Sequence, residues 1–560
     1  MTNAIPFSSV GTKSEQLGRL EDRHLAPLPP PYDNYEEPKL PPLAANLRAT
    51  CECSLDDTVA VSLPRPTSPE EEHALVAKFL AGLEKLFSEP NNWTFLQPLV
   101  LSIDHCTKCQ TCAHACHIFE ESGENEVYRP TFRSEILRRL YFKHKARKGR
   151  RALSDGTRRG GSKASSQDSF LGVGGGLVSK FLHGDIDINW TTIARLLELS
   201  YRCNLCRRCA QTCPVGVDNG LIAHEIRKLF SMELGIAAKE IHEKGSMLEL
   251  RVGSSTGMNA AAVHDNVDFI DEETTEKTGI AVKTKWDVQG ADVLLMHNAG
   301  EFLSWPDNPG AFAVILDAAG ISWTLSSELA GYDAVNYGLW YDDAQFARVA
   351  IQHAQIAKKL GVKKIVVGEC GHAHKSMMVI ADRVLTGDLN VPRESSMTLL
   401  DDIVTNGKIN LDPKRNDFPV TLHDPCKLVR LMGVVEPQRR VLRKIAPRFR
   451  EMTPHGVDNY CCGGGSGFAI MSGHNFAEWR MRVASRRKFR QILEAFQDDL
   501  DPLHPKYVCA PCSNCKGAIR DILNRYQAGK KVGIHYGGLV ELIVNAMTDA
   551  KPNFIDFSET

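Results

Sequence analysis

Five cysteines between Val420 and Cys515 carry the chemistry that this chain is built to perform: Cys426 in VTLHDPC, the adjacent Cys461 and Cys462 in NYCCGGGSGF, and Cys512 and Cys515 in VCAPCSNCKGA. A cubane cluster takes four thiolates, so this set exceeds the need by one. Two adjacent cysteines cannot both reach one metal ion without strain, whereas a multi-iron cluster offers a different iron to each sulfur. The run Gly463, Gly464, Gly465 lets backbone N–H groups approach those sulfurs, where hydrogen bonds tune potential. Cys426 and Cys512 each follow an apolar run and a turn residue, which predicts positions at strand ends, where α/β proteins place their chemistry.

Eight further cysteines form two C-x2-C-x2-C-x3-C motifs, CTKCQTCAHAC (Cys106, Cys109, Cys112, Cys116) and CNLCRRCAQTCP (Cys203, Cys206, Cys209, Cys213). A loop with this spacing wraps three thiolates around one cubane and sends the fourth to a neighbouring cluster. The implied ligation is crossed. Cys106, Cys109 and Cys112 take Cys213, while Cys203, Cys206 and Cys209 take Cys116. His117 follows Cys116 where proline is usual, and Pro214 follows Cys213 as expected. The repeated triplets disfavour zinc, and a c-type haem fails because no cysteine stands three residues before Cys116.

Beside these ligands stand groups with two readings each. His423 precedes Cys426, and His372 and His374 follow Cys370; each imidazole is either a proton donor to departing thiolates or a side chain hydrogen-bonded to backbone. Cys370 is either a functional thiol or ligand, or a relic; Cys509 reads as a packed core thiol, and Cys51 and Cys53 in CEC read as ordinary free thiols, the alternative being a redox or metal role.

The pattern Cys-x(n)-Cys-Cys-Gly-x(n)-Cys-x-x-Cys resembles the cysteine-rich CCG domain of heterodisulfide reductases, in the D-like branch that joins it to a ferredoxin module; the likeness covers roughly Pro98 to Met547. It implies three cofactors: two cubane [4Fe-4S] clusters and one non-cubane [4Fe-4S] cluster on Cys426, Cys461, Cys462, Cys512 and Cys515, with Cys370, His423 and His372 as further catalytic candidates. An earlier segment resembles the cysteine-rich repeat with its ligands replaced. VLLMHNAGE parallels VTLHDPCKL, SSELAGY parallels NYCCGGG, and VVGECGHAH parallels VCAPCSNC, so that Ala299, Leu329, Ala330 and Ala373 stand where the family has cysteine and only Cys370 survives.

The elements that must position these residues follow from composition and periodicity. A chain of 560 residues spans about three or four domains. Its fold class is multidomain α+β. Residues 1–68, rich in proline, read as an extended, disordered tail. Residues 69–250 read as a mainly helical two-cluster ferredoxin module, opened by an amphipathic helix over Pro69–Phe87 and interrupted by a basic, Gly/Ser-rich mobile insertion at about 143–176. GVGGG (Gly172 to Gly176) follows no strand and is not a nucleotide fingerprint. From Ala291, short apolar runs alternate with helical patterns, predicting tandem α/β CCG repeats: a degenerate one over 285–400 and an intact one over 415–550.

Balanced charge, 67 basic against 68 acidic residues, excludes a nucleic-acid binder working by bulk charge. Seventeen cysteines grouped as metal ligands point to a reducing compartment. Neither a secretory signal nor an apolar run long enough to span a bilayer is visible, so the expected location is cytoplasmic, with membrane association through partner subunits. The resemblance implies an oxidoreductase acting on sulfur groups. Its partners would be a membrane cytochrome b-type subunit, other redox-complex subunits and a small sulfur-carrier protein bearing C-terminal cysteines, whose disulfide or trisulfide exchanges electrons with a quinone-linked partner. The alternative is an electron-transfer subunit of a flavin-dependent glycolate, lactate or glycerol-3-phosphate dehydrogenase; such subunits are expected to keep both repeats intact.

Overall fold

A computed structural model of the chain describes residues 5–13, 17–40, 42–50, 55, 61, 63–87, 99–154, 186–329, 333–335, 337–471 and 476–558, the side chains at 47, 48, 50, 100, 101 and 149–154 excepted. Cys51, Cys53, Ala330 and Gly172 to Gly176 lie outside the described residues. The chain forms two compact units, one of Met1–Leu25, Lys39–Cys203 and Thr212–Ala237, the other of Ala26–Pro38, Asn204–Gln211 and Ala238–Thr560.

The first unit is helical, with no strand among its described residues. Its long helices are α1 (Pro69–Leu86), α2 (Pro130–Ser154), α3 (Trp190–Ser200) and α4 (Asn219–Leu229). Their starts are written in the sequence. Ser68, Asn189 and Asp218 cap α1, α3 and α4 by accepting backbone N–H bonds from Glu71, Thr192 and Leu221 at 3.2, 2.9 and 3.0 Å. Apolar residues at helical spacing are buried on each, including Phe79, Leu83 and Leu86 on α1 and Ile222, Ile226 and Leu229 on α4. Arg227 of α4 ties the second cysteine motif to this bundle, donating to the Ser200 carbonyl at 2.7 Å and the Cys203 carbonyl at 2.8 Å.

Three expectations require correction. The basic stretch is not an open loop from Lys143 onward, because α2 continues to Ser154; Lys and Arg are good helix formers, and Glu84 of α1 receives His144 at 2.7 Å and Lys148 at 2.8 Å. The described part of the N-terminal segment is not disordered either. In the first unit Val10, Leu43, Leu55, Val61 and Leu63 are buried, and Arg195 donates to the carbonyls of Val10 and Thr12 at 2.8 and 2.9 Å. In the second unit Leu28 and Tyr32 enter a core with Phe489 and Tyr526, and Glu37 is bound by Arg486, Arg525 and the Tyr526 hydroxyl. Single apolar anchors at irregular intervals suffice to fix an extended segment, and they leave no periodic signature. Finally, Asn204–Gln211 belongs to the second unit and not to the helical module around it.

The second unit holds two parallel four-stranded sheets. The first comprises β1 (Val293–Met296), β2 (Trp323–Thr324), β3 (Lys364–Val367) and β4 (Arg393–Ser395), in the order β2-β1-β3-β4. The second comprises β5 (Val420–Leu422), β6 (Phe449–Arg450), β7 (Lys506–Cys509) and β8 (Ile534–Gly537), in the order β6-β5-β7-β8. One strand order is thus used twice. Residues of the central strands β1, β3, β5 and β7 are buried except Lys364, while the edge strands β4, β6 and β8 are partly exposed; helices cover the faces of the central strands, as parallel sheets require. Four helices begin just past the carboxyl ends of the central strands: α5 (Ala299–Ser304) after β1, α6 (Gly371–His374) after β3, α7 (Cys426–Leu431) after β5 and α8 (Ser513–Arg525) after β7.

Candidate functional site

Within the first unit, the thiols of Cys106, Cys109 and Cys213 all lie near Cys112, whose buried thiol is pushed up to about 11 by desolvation and then by the charges of Cys106 and Cys213. Cys213 Sγ also accepts a hydrogen bond from Val217 N at 3.2 Å. Cys116 and Cys203 lie in this unit too, and Arg133 Nη2 is 3.4 Å from Cys203 Sγ. The two motif loops share a local conformation. Lys108 and Gln110 in one, and Leu205 and Arg207 in the other, adopt left-handed backbone at the same two positions, with φ of 57°, 66°, 49° and 61°. Left-handed backbone costs a non-glycine residue about 1–2 kcal/mol, so its repetition marks loops shaped to converge on a ligand.

In the second unit, the carboxyl ends of the two sheets bring six thiols together. Cys426 begins α7, and Cys512 stands immediately before α8, in which Cys515 occupies the first turn. Cys462 Sγ and Cys515 Sγ are 3.4 Å apart, and Cys461 is within hydrogen-bond reach of Cys426, Cys462 and Cys206. From the first sheet comes Cys370, immediately before α6; its thiol meets that of Cys512, and Gly371 N donates to Cys512 Sγ at 3.2 Å. Gly463 N and Gly464 N each stand 3.4 Å from a sulfur, those of Cys461 and Cys462. Glycine is required there. Gly463 has φ of +86°, and a Cβ on Gly464 would lie 2.7 Å from Ala518 Cβ. This donor set, rich in sulfur, buried, and supplied with backbone N–H groups aimed at sulfur, fits an iron–sulfur cluster better than a single four-coordinate zinc.

The loop Asn204–Gln211 is fastened to this site from within the same unit. Asn204 Nδ2 donates to the carbonyls of Gly463 and Gly465 at 2.9 and 3.3 Å, Lys427 Nζ to Leu205 O at 2.8 Å, and Arg430 Nη1 to Cys206 O at 3.0 Å. Two cations that closely follow Cys426 in sequence therefore hold the loop that carries Cys206 and Cys209.

The histidines separate by position. His423 has donor atoms within 4.8 Å of the Cys462 and Cys515 sulfurs; burial, then the Lys488 charge, lowers its pKa while Cys462 opposes them. His372 packs edge-on against Trp340 at 5.2 Å, and burial lowers it to about 4. His374 does not reach the site. It bonds the Cys370 carbonyl and Ser395 Oγ, both at 2.8 Å. Cys509 lies inside β7, with its thiol buried and raised by desolvation. Ala299 opens α5, Leu329 packs against the core, and Ala373 N faces Cys370 Sγ at 3.5 Å.

A cavity of about 220 Å³ adjoins Cys370, with His372, Asn298, Ser513, Trp305 and Asp333 among its walls. Behind it, buried Lys516 lies 3.0 Å from Glu541 and 3.7 Å from Glu369. Sequence reasoning missed Asp333, Glu369 and Lys488. Lys488 is buried beside the thiols, donating to Asn459 Oδ1 at 2.8 Å, and burial lowers it to about 7. It sits in the run RRKFR, which reads as a solvated face, and Asp333 has no neighbouring motif.

The site defines an iron–sulfur protein in which a helical 4Fe-4S module accompanies a cysteine-rich α/β body. Consistent with this, the family model for a 4Fe-4S dicluster domain matches residues 102–217, and that for a cysteine-rich domain matches residues 420–520. Among curated proteins, the chain is 24% identical over 492 residues to the Hdr-like menaquinol oxidoreductase iron-sulfur subunit 2 of Archaeoglobus fulgidus, covering 80% of each chain. It is 24% identical over 390 residues to the D subunit of the dihydromethanophenazine:CoB–CoM heterodisulfide reductase of Methanosarcina acetivorans, covering 68% of this chain and 81% of the relative. A third relative, the probable iron-sulfur-binding oxidoreductase FadF of Bacillus subtilis, is 22% identical over 397 residues, 67% of this chain and 52% of its own. The chain is therefore similar, through both domains, to heterodisulfide-reductase-like iron–sulfur oxidoreductases. No helix among the described residues is long and apolar enough to cross a membrane.

Proposed function

We propose that the chain exchanges electrons between a quinone-linked membrane partner and a disulfide or trisulfide on a small sulfur-carrier protein. On this reading it is a cytoplasmic counterpart of the catalytic K subunit of the membrane redox complex associated with dissimilatory sulfite reduction, held to the membrane by a cytochrome b-type subunit. The observation that carries the reading is the convergence of Cys370, Cys426, Cys461, Cys462, Cys512 and Cys515 where two sheets of equal strand order meet, beside a cavity. The names of the relatives from Archaeoglobus and Methanosarcina support the quinol and disulfide ends of the reaction.

In this assignment Cys106, Cys109, Cys112 and Cys213 hold one cubane, Cys203, Cys206, Cys209 and Cys116 the second, and Cys426, Cys461, Cys462, Cys512 and Cys515 a non-cubane centre. Such a centre supplies single electrons to a sulfur substrate. The protein's own groups do the rest. Gly463 N, Gly464 N and Gly371 N stabilise negative charge on the sulfurs they face, and His423 orients against Cys462. The first sheet is a repeat that lost its ligands except Cys370, leaving the cavity in their place. The second reading is an electron-transfer subunit of a flavin-dependent glycolate, lactate or glycerol-3-phosphate dehydrogenase; the Bacillus relative, by name an iron-sulfur-binding oxidoreductase, is compatible with it.

Anaerobically purified protein, given reduced viologen and a carrier bearing a C-terminal cysteine pair as its disulfide, decides between them. Turnover that disappears when the last carrier cysteine is deleted supports the first reading. Iron near eight per chain with no disulfide turnover would sink it, because three four-iron centres require about twelve.

A further inference from the structure

Reductive cleavage of a disulfide consumes two electrons and two protons, and the thiols and cavity described so far account only for the electrons and the sulfur. The wall of the cavity opposite in kind to Cys370 is a carboxyl group. Asp333 is 3% exposed and lines the same space as Cys370 and His372. Its position is fixed from several sides. Ser255 Oγ donates to Asp333 Oδ2 and Val335 N donates to Oδ1 at 3.1 Å, while the Asp333 carbonyl meets His353 Nε2 at 3.2 Å. The next residue is pinned as well, since Ala334 N donates to the His297 carbonyl at 3.1 Å. The segment lies past the end of β2, on the face where both sheets present their chemistry.

We propose that Asp333 is the proton donor to the sulfur that leaves when a disulfide is cleaved in this cavity. The proposal rests on the disulfide chemistry of the preceding section and assigns it a second participant. In the balanced step, R–S–S–R′ takes up two electrons, supplied by a quinol in the cell or by reduced viologen in an assay. The S–S bond breaks, one sulfur is retained on the protein's side, and the other departs as R′–SH with the Asp333 proton. A second proton, taken from solvent, releases the retained sulfur as R–SH, and another solvent proton reaching the emptied cavity restores protonated Asp333. Burial supports the assignment by raising the carboxyl to about 6, against the hydrogen bonds from Ser255 and Val335 that favour its ionised form.

Two ionisable groups beside Asp333 are displaced away from that range. Tyr337, near both Asp333 and Cys370, is raised far above neutrality by burial, and His353 is lowered to about 4 by burial. Glu301 adds negative charge that raises Asp333 further, Glu249 faces Tyr337, and Arg520, stacked 5.1 Å from the Trp305 ring, also lines the cavity.

The test uses the cluster-loaded protein, reduced viologen and a disulfide substrate, with rates measured from pH 5 to 9 for the wild type, Asp333→Asn and Asp333→Glu. The wild-type rate should fall as pH rises through about 6, where Asp333 loses its proton. Asp333→Asn keeps the shape and can accept from Ser255, yet it should be slower by on the order of 100-fold at the acid end and lose that limb. Asp333→Glu should retain the limb. Independently of turnover, infrared titration of the protein should show a protonated-carboxyl band that vanishes near pH 6 and is missing in Asp333→Asn. An unchanged limb in Asp333→Asn, or the absence of such a band, overturns the proposal and leaves disulfide reduction standing. A wild type that turns over no disulfide at any pH removes both.

Discussion

The two sheets of the second unit share a strand order but differ in what their loops present. After β5 the chain places Cys426, and after β7 it places Cys512. After β1 stands Ala299, preceded by Asn298, whose amide donates to Glu301 at 2.7 Å and to Ser513 Oγ at 2.7 Å. After β3 stands Cys370, next to Glu369, whose carboxylate accepts from Leu539 N at 2.8 Å and Asn308 Nδ2 at 2.9 Å. One sheet end is built of sulfur and glycine N–H groups, the other of carboxylates, amides and a cavity. On the proposed reading, the thiols of one sheet end carry electrons and the Asp333 carboxyl at the other supplies a proton, and the two ends meet at Cys370 and Cys512.

The strongest way to break this division is to exchange the roles of those two thiols. Cys512→Ala should lose the third centre, with iron falling from about twelve to about eight per chain, whereas Cys370→Ala should keep about twelve. Iron analysis with low-temperature paramagnetic resonance reads both. Equal losses in the two variants would make Cys370 a ligand and erase the distinction between the sheets.

A smaller effect separates how each side is held. On the sulfur side, buried Asp424 accepts from both terminal guanidinium nitrogens of Arg439 at 2.7 Å, and from Gly456 N at 2.6 Å. Asp424→Ala leaves the Arg439 cation buried beside Glu451 alone and should destabilise the unit by roughly 3–5 kcal/mol, measured as a lowered urea midpoint at constant slope. Should the loss stay below about 1 kcal/mol, the pair is not what fixes the β5 loop.

The smallest effect lies on the carboxylate side. Asp333 is raised to about 6 by burial, so its folded state holds the proton more tightly than the unfolded chain does. That contribution is present at pH below about 4 and disappears as pH rises through about 6; at about 1.4 kcal/mol per pKa unit, the step is about 2–3 kcal/mol. Asp333→Asn, which cannot ionise, should flatten this part of the stability profile in chemical denaturation between pH 4 and 7. A profile of unchanged slope would show that Asp333 does not titrate there.

Much of this could be read from the chain alone, because it depends on residue type and short-range spacing. Donor identity in the C-x2-C-x2-C-x3-C motifs, the Cys461–Cys462–Gly463 turn, the capping of α1 by Ser68 and the βα alternation after Ala291 are all local properties. What escaped is nonlocal. The contact from Gly371 N to Cys512 Sγ spans 141 positions, and the Asn204 contact to Gly463 spans 259. The extended segment around Tyr32 is ordered by a ring 5.1 Å away on Phe489, and Lys488 is buried in a run that looks solvated. Local patterns determine which groups a protein has and how each element begins. Only the packing of one sheet end against another decides which of those groups share a low-dielectric space, and therefore which thiols, carboxyls and cations act on the same chemistry.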